Sequence, residues 1–244
     1  MKQPLPRNAI RLLLYTAWTI GIVVPATTQT AGGSGPQLQQ KLAAVKQSIA
    51  ENQQKLHQYQ WTETTQLTLK GNPKPAKQSL CQYGPDGQVQ KTPIGAEAPA
   101  PRGGRIKQRV VEKKKEEMQD YMGQVKTLLG KYTPPDPRKI EEAFQAGNVS
   151  LNPNPSAQTV GLVLKNYAQM GDQMTLSFDP ATKKISGLNV NTYLDDPKDT
   201  VTLAVKMASL PDGTNHVLQT IVDATAKQLQ VTTTNSNYQK VAGP

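Results

Sequence analysis

The chain has one cysteine, two histidines and two phenylalanines among 244 residues, and each scarcity excludes something. A lone Cys81 rules out an internal disulfide and any thiolate-rich metal site. It is expected to serve as a small buried strand residue, the usual place of a free thiol. His57 and His216 stand far apart with no third ligand near either, so no catalytic or metal set converges and both are expected at the surface. There is no Gly-rich phosphate loop, no Gly-x-Ser-x-Gly elbow and no His-Glu-x-x-His motif. Asp195, Asp196, Asp199 and Asp212 lack calcium-loop spacing and flank proline or glycine, which is turn chemistry. No enzyme, no metal and no cofactor is expected.

A long apolar run is missing too. Leu12 to Val24 is interrupted by Thr16, Thr19 and Gly21, and it is shorter than the roughly 20 residues a membrane-spanning helix needs. Lys2, Arg7 and Arg11 precede it, and Val24-Pro25-Ala26 follows with small residues. That is the layout of a secretory signal. Residues 1–26 are therefore read as a signal peptide and 27–36 as a flexible leader containing Ala31-Gly-Gly-Ser-Gly-Pro36. The expected compartment is the periplasm; the alternative is an uncleaved N-terminal membrane anchor.

The net charge of +10 is unevenly placed. Residues 158–244 carry seven cations and seven anions, whereas residues 27–157 carry 18 cations and 11 anions. The excess peaks between Arg102 and Lys115, where Arg105, Arg109, Lys113, Lys114 and Lys115 form a basic patch diluted by Glu112, Glu116 and Glu117. No aromatics are interleaved to stack bases, and export removes the chain from nucleic acid, so nucleic acid is not an expected partner. A solvated helix face, or attraction to an anionic membrane surface or an envelope protein, fits better.

Aromatic residues make up 5% of the chain, so a core must rest on Leu, Val, Ile and Met. Leu38, Leu42, Val45, Ile49 and Leu56 mark one face of a helix after Pro36. The period changes to two near Tyr59: Trp61, Leu67 and Leu69 share a face with Glu63 and Thr65, opposite Thr62, Thr64, Gln66 and Thr68. Gly84-Pro-Asp-Gly87 turns a second strand into a third. After the Pro/Ala/Gly-rich segment 95–104, a helix is expected over about 106–131 and a shorter one from Pro137, capped by Asp136 and ended by Gly147. Asn148 to Pro155 reads as a loop. From residue 158 to 240, short alternating stretches are separated by turn sequences such as Asp179-Pro-Ala-Thr and Pro211-Asp-Gly, the pattern of an antiparallel meander. The fold class is α+β, in one domain over 37–241 with a helical insertion at about 105–147.

The order of helix, early hairpin, helical insertion and long meander resembles the periplasmic lipoprotein-carrier (LolA/LolB-like) superfamily. The stretches Tyr59-Gln-Trp-Thr-Glu-Thr64 and Asp179-Pro-Ala-Thr-Lys-Lys184 carry the resemblance along with that order. It implies a strongly curved, unclosed antiparallel barrel covered by helices, with acyl chains on the concave face. Members carry a functional arginine on an early strand; Tyr59–Leu69 has none, which points towards lipid or protein binding more than lipoprotein transfer.

Two functions follow. In one, a lipid or lipoprotein acyl chain lies on the concave face, touching Trp61, Leu67, Leu69, Met174, Leu176 and Phe178. In the other, the core is closed and the basic helix docks on an envelope partner. The signal reading is tested first: the chain secreted by a bacterial host should lose about 26 N-terminal residues by intact mass, whereas an anchored chain keeps them and stays with the membrane.

Overall fold

Period-two alternation becomes a single wide sheet. The computed structural model describes residues 50–95, 105–182 and 184–241, together with Gln40, Ala43 and Gln47; side chains of 105–108, 110 and 111 are not described. The signal segment, the leader, Leu38, Leu42, Val45, Ile49 and the loop 96–104 lie outside these residues. The described part belongs to one unit, Ser34–Pro244.

A first helix, α1, includes residues 50–56. It leads into β1 (Tyr59–Leu69), the two-residue β2 (Asn72–Pro73), β3 (Lys77–Tyr83) and β4 (Val89–Ile94). The insertion is α2 (Arg105–Leu129) followed by α3 (Pro137–Gln145). Asp136 caps α3 by accepting the Arg138 amide at 2.8 Å, with Pro137 in the first turn, which supplies one of the unpaired donors of the helix start. The rest is a meander: β5 (Val149–Asn154), β6 (Thr159–Lys165), β7 (Gln173–Asp179), β8 (Lys184–Tyr193), β9 (Thr200–Ser209), β10 (Asn215–Ala224) and β11 (Leu229–Lys240).

The strands form one antiparallel sheet in the order β4-β3-β1-β11-β10-β9-β8-β7-β6-β5, with β2 beside β1. The early hairpin thus joins the meander through the first and last long strands. The ends of the sheet do not meet, so the curved sheet stays open. Bulges between Ser177 and Phe178 and between Val217 and Gln219, and an irregularity between Gln60 and Thr62, add local bend and twist. Beside the first of these, a Cβ on Gly187 would lie 3.0 Å from the Val205 carbonyl oxygen, so that a side chain there would require the strands to give by a few tenths of an ångström.

One expectation fails. Asn148 to Pro155, read as a loop, contains β5, paired with β6 from Val149↔Leu164 to Asn154↔Thr159. Pro153 masked the strand, but β5 is an edge strand, and an edge position needs no amide on its outer side. The opposite edge, β4, holds Pro93.

Register shows how the core is made. Leu67, Val231, Val222 and Leu203 lie opposite one another across β1, β11, β10 and β9. Val190, Met174, Leu164 and Val149 continue the row through β8, β7, β6 and β5. A parallel row runs Thr65, Thr233, Thr220, then Val205, Leu188, Leu176, Leu162 and Leu151. The opposite face bears Thr64, Thr234, Gln219, Lys206 and Ser177 in register. One face is oily and the other polar, as period two requires.

Leu176 is fully buried between Leu162 and Leu188. Leu176→Ala should cost about 2–5 kcal/mol through lost burial and a residual cavity, against less than about 0.5 kcal/mol for the outward Ser177→Ala. Urea unfolding checks both: the midpoint should fall with the slope unchanged.

Candidate functional site

The inner face divides into a sealed half and a half-open half. Over β6 to β9 the cover is the C-terminal part of α2 and α3. Tyr121, Val125, Leu128 and Leu129 of α2 and Ile140 and Ala143 of α3 join one core with Leu164, Met174, Leu176, Phe178, Val190 and Leu203. Met174 and Leu176 have no exposed surface, and Phe178 is nearly as buried. These three expected ligand contacts are floor residues beneath packed helices.

Tyrosine hydroxyls tether that cover. Tyr132, in the connection after α2, donates to Asp172 at 2.6 Å and lies 2.8 Å from Thr192 Oγ1. Asp172 also accepts the amides of Tyr167, Ala168 and Gln169, so a buried carboxylate is satisfied on several sides. Tyr121 donates to Asp199 at 2.9 Å. Burial, then the hydrogen bond to the carboxylate, pushes both phenols well above their ordinary range. They remain protonated donors throughout the neutral range.

The other half lies on β1, β11 and β10. Leu67, Val231 and Val222 continue the apolar row, flanked by Thr65, Thr233 and Thr220. These six are only partly buried, in the same class as Thr62, Thr64, Thr232 and Thr234 on the outer face. Among the described residues this part of the face is less fully covered than the first. An apolar row and a hydroxyl row lie side by side on it. Leu69, likewise partly buried, ends the strand opposite the buried Leu229.

At the far end of the hydroxyl row the face turns polar and aromatic. Glu63 accepts Lys91 Nζ at 2.6 and 2.8 Å and the Thr65 hydroxyl at 3.3 Å; its side chain is only 13% exposed. Opposite Glu63 is Asn235, whose Nδ2 donates to the Val217 carbonyl at 3.1 Å. Trp61 stacks on Tyr238 with ring centres 5.5 Å apart and tilts against Tyr83, which stacks on His57 at 4.4 Å. His216 lies 4.2 Å from Tyr238. Trp61 Nε1 and Asn235 Oδ1 are buried and have no partner among the described residues. Thr214 Oγ1 is the third such atom among the described residues, and an unmet buried polar group costs about 1–3 kcal/mol.

His216 corrects an expectation: it is 6% exposed, not a surface residue. The bulge in β10 lies just after it. One extra residue exchanges the faces of what precedes it, so alternation alone could not place it. Tyr238 escaped notice for a similar reason, since Asn237 before it adopts a left-handed conformation, φ 54°. Cys81 is fully buried opposite Trp61, as expected of a small strand residue.

The basic patch lies elsewhere. Arg109, Lys113, Lys114 and Lys115 are exposed on the first half of α2; the Arg105 side chain lies outside the described residues. Among the described residues no cluster of His, Cys, Asp or Glu could hold a metal, and no helix is long and apolar enough to cross a membrane. A surface pocket of about 450 Å³ opens at the strand ends near Thr68, Ala224 and Leu229. Another of about 480 Å³ lies between Ala50 and Gln53 of α1 and the Gly130–Lys139 connection. Neither is lined by the residues of these two rows.

Asp212 ties the two ends of this region. It accepts Tyr59 Oη at 2.6 Å, the Thr214 amide at 3.0 Å and Lys240 Nζ at 3.2 Å. The Tyr59 hydrogen bond foremost, then the Thr214 amide, hold its carboxyl well below the usual range. A carboxyl lowered on folding stabilises above its unfolded value near 3.9 and loses that contribution as pH falls further. The melting temperature of Asp212→Asn should lie below that of the parent at pH 7, and the two should converge in strong acid. Parallel curves at all pH values would refute the assignment.

No protein-family model matches the chain, and a comparison with curated proteins gives no match. Among solved structures it is similar to a DUF1329 family protein from Desulfovibrio piger, with 11% identity and a TM-score of 0.40 over 83% of this chain and 93% of that one.

Proposed function

We propose that the chain is an exported, non-enzymatic periplasmic protein that holds the acyl chain of a lipid or lipoprotein along the half-open part of its inner face. One observation carries the reading: the row Leu67–Val231–Val222 continues the sealed core in register, yet is left only partly covered. Apolar surface in water costs roughly 25 cal/mol per Å², so an acyl chain laid on this row gains what the helices fail to supply. The flanking threonines add no charge and leave one side of this row wettable. Tail-first entry beside α2 requires no opening of the sealed half, because Met174, Leu176 and Phe178 serve as its floor.

A second reading rests on a different observation. Lys113, Lys114 and Lys115 project from α2 with no role in the core, and such a cluster suits an envelope protein or an anionic membrane surface. The two are separable. Val231→Asp places a carboxylate on the apolar row and should reduce fluorescent fatty-acid uptake at least tenfold, with circular dichroism unchanged. Reversing Lys113 to Lys115 to Glu should leave uptake intact and abolish capture of the envelope partner or of anionic vesicles. Lipid-free native protein that takes up no fatty acid retires the acyl reading.

A further inference from the structure

The polar end of this face holds two of the three buried side-chain atoms that have no partner among the described residues, Thr214 Oγ1 being the third, and these two are complementary in kind. Trp61 Nε1 can only donate. Asn235 Oδ1 can only accept, while the amide's other end donates to the Val217 carbonyl. Trp61 and Asn235 are 6% and 8% exposed. They sit diagonally across β1 and β11, since Asn235 is opposite Glu63, two residues from Trp61 on the same face. Glu63, already paired with Lys91, lies beside Asn235 and next to the threonine row.

We propose that this corner receives a neutral hydroxylated head group, a glycerol or a sugar, of an amphiphile whose tail lies on Leu67, Val231 and Val222; this rests on the acyl-binding reading. A hydroxyl both accepts and donates, so one polyol satisfies the indole N–H and the amide oxygen together. An anionic head group meets the Glu63 carboxylate and the Asn235 oxygen, both acceptors. A cationic one meets the indole N–H and the ammonium of Lys91. The neutral polyol is the class that opposes neither.

The experiment compares three probes of one chain length, monooleoylglycerol, oleate and methyl oleate, on the full secreted chain by displacement of a fluorescent fatty acid. Monooleoylglycerol should bind at least tenfold more tightly than the other two. Trp61→Phe keeps a ring and removes the N–H; it should bring monooleoylglycerol to within about twofold of methyl oleate and leave methyl oleate unchanged. Should that variant lose its fold by circular dichroism, Glu63→Gln serves instead: it removes the carboxylate and should raise oleate affinity several-fold. Equal binding of all three probes by the parent overturns the head-group proposal and leaves acyl binding standing. An unaltered glyceride preference in Trp61→Phe, or unaltered oleate binding in Glu63→Gln, also overturns it. Binding of none overturns both.

Discussion

An antiparallel sheet that curls but does not close has an oily concave side with nothing of its own to place against it. That constraint organises the molecule. Strand alternation puts most of the Leu, Val and Met of β6 to β9 on one side and mainly Thr, Gln, Asn and small residues on the other. Once the registers are in place, the inner rows run unbroken across the sheet. A layer of helices must then lie in the trough, and the insertion between β4 and β5 supplies α2 and α3 for that purpose. Among the described residues the packing is tightest over β6 to β8 and looser over the middle of β1, β10 and β11. This asymmetry, more than any single residue, distinguishes one part of the inner face from the other.

The helices are held by more than oil. With two phenylalanines and eight tyrosines, the chain fills space with rings that also carry a hydroxyl, and the hydroxyls reach aspartates in the turns. Tyr132 reaches Asp172, Tyr121 reaches Asp199 and Tyr59 reaches Asp212. Tyr167 accepts the Asp136 amide at the start of α3. Each ring thus contributes apolar burial and a directional bond at its tip. Such bonds do little for net stability on their own, but leaving either partner unmet inside is costly. They therefore fix where each helix sits on a surface that is otherwise slippery.

Much of this was legible in the sequence because it follows from local chemistry. Gly84-Pro-Asp-Gly87, Asp179-Pro-Ala-Thr and Pro211-Asp-Gly announced turns, Asp136-Pro137 announced a helix start, and period two announced which side of β1 and β7 faced inward. What stayed hidden depends on events that periodicity does not encode. The bulge at Leu218 re-aimed His216, and the left-handed Asn237 carried Tyr238 into the aromatic cluster. Pro153 disguised β5, because whether a strand tolerates proline depends on its position at the sheet edge. The pairing of β1 with β11 joins residues about as distant as the chain allows, and no local signal reports it. The division of the inner face into sealed and half-open parts was equally invisible, since Leu67 and Leu176 are both simple alternating leucines until a helix covers one of them.

The two prolines on the terminal strands have a wider consequence. An open sheet ends in two edge strands, and unpaired backbone groups on such edges can recruit a strand from a second molecule. Pro93 on β4 and Pro153 on β5 each strike a donor from those edges, and Lys91 adds a charge to the first. Each border therefore offers an incoming strand fewer partners than an unbroken edge would, so openness of the sheet carries less risk of strand addition.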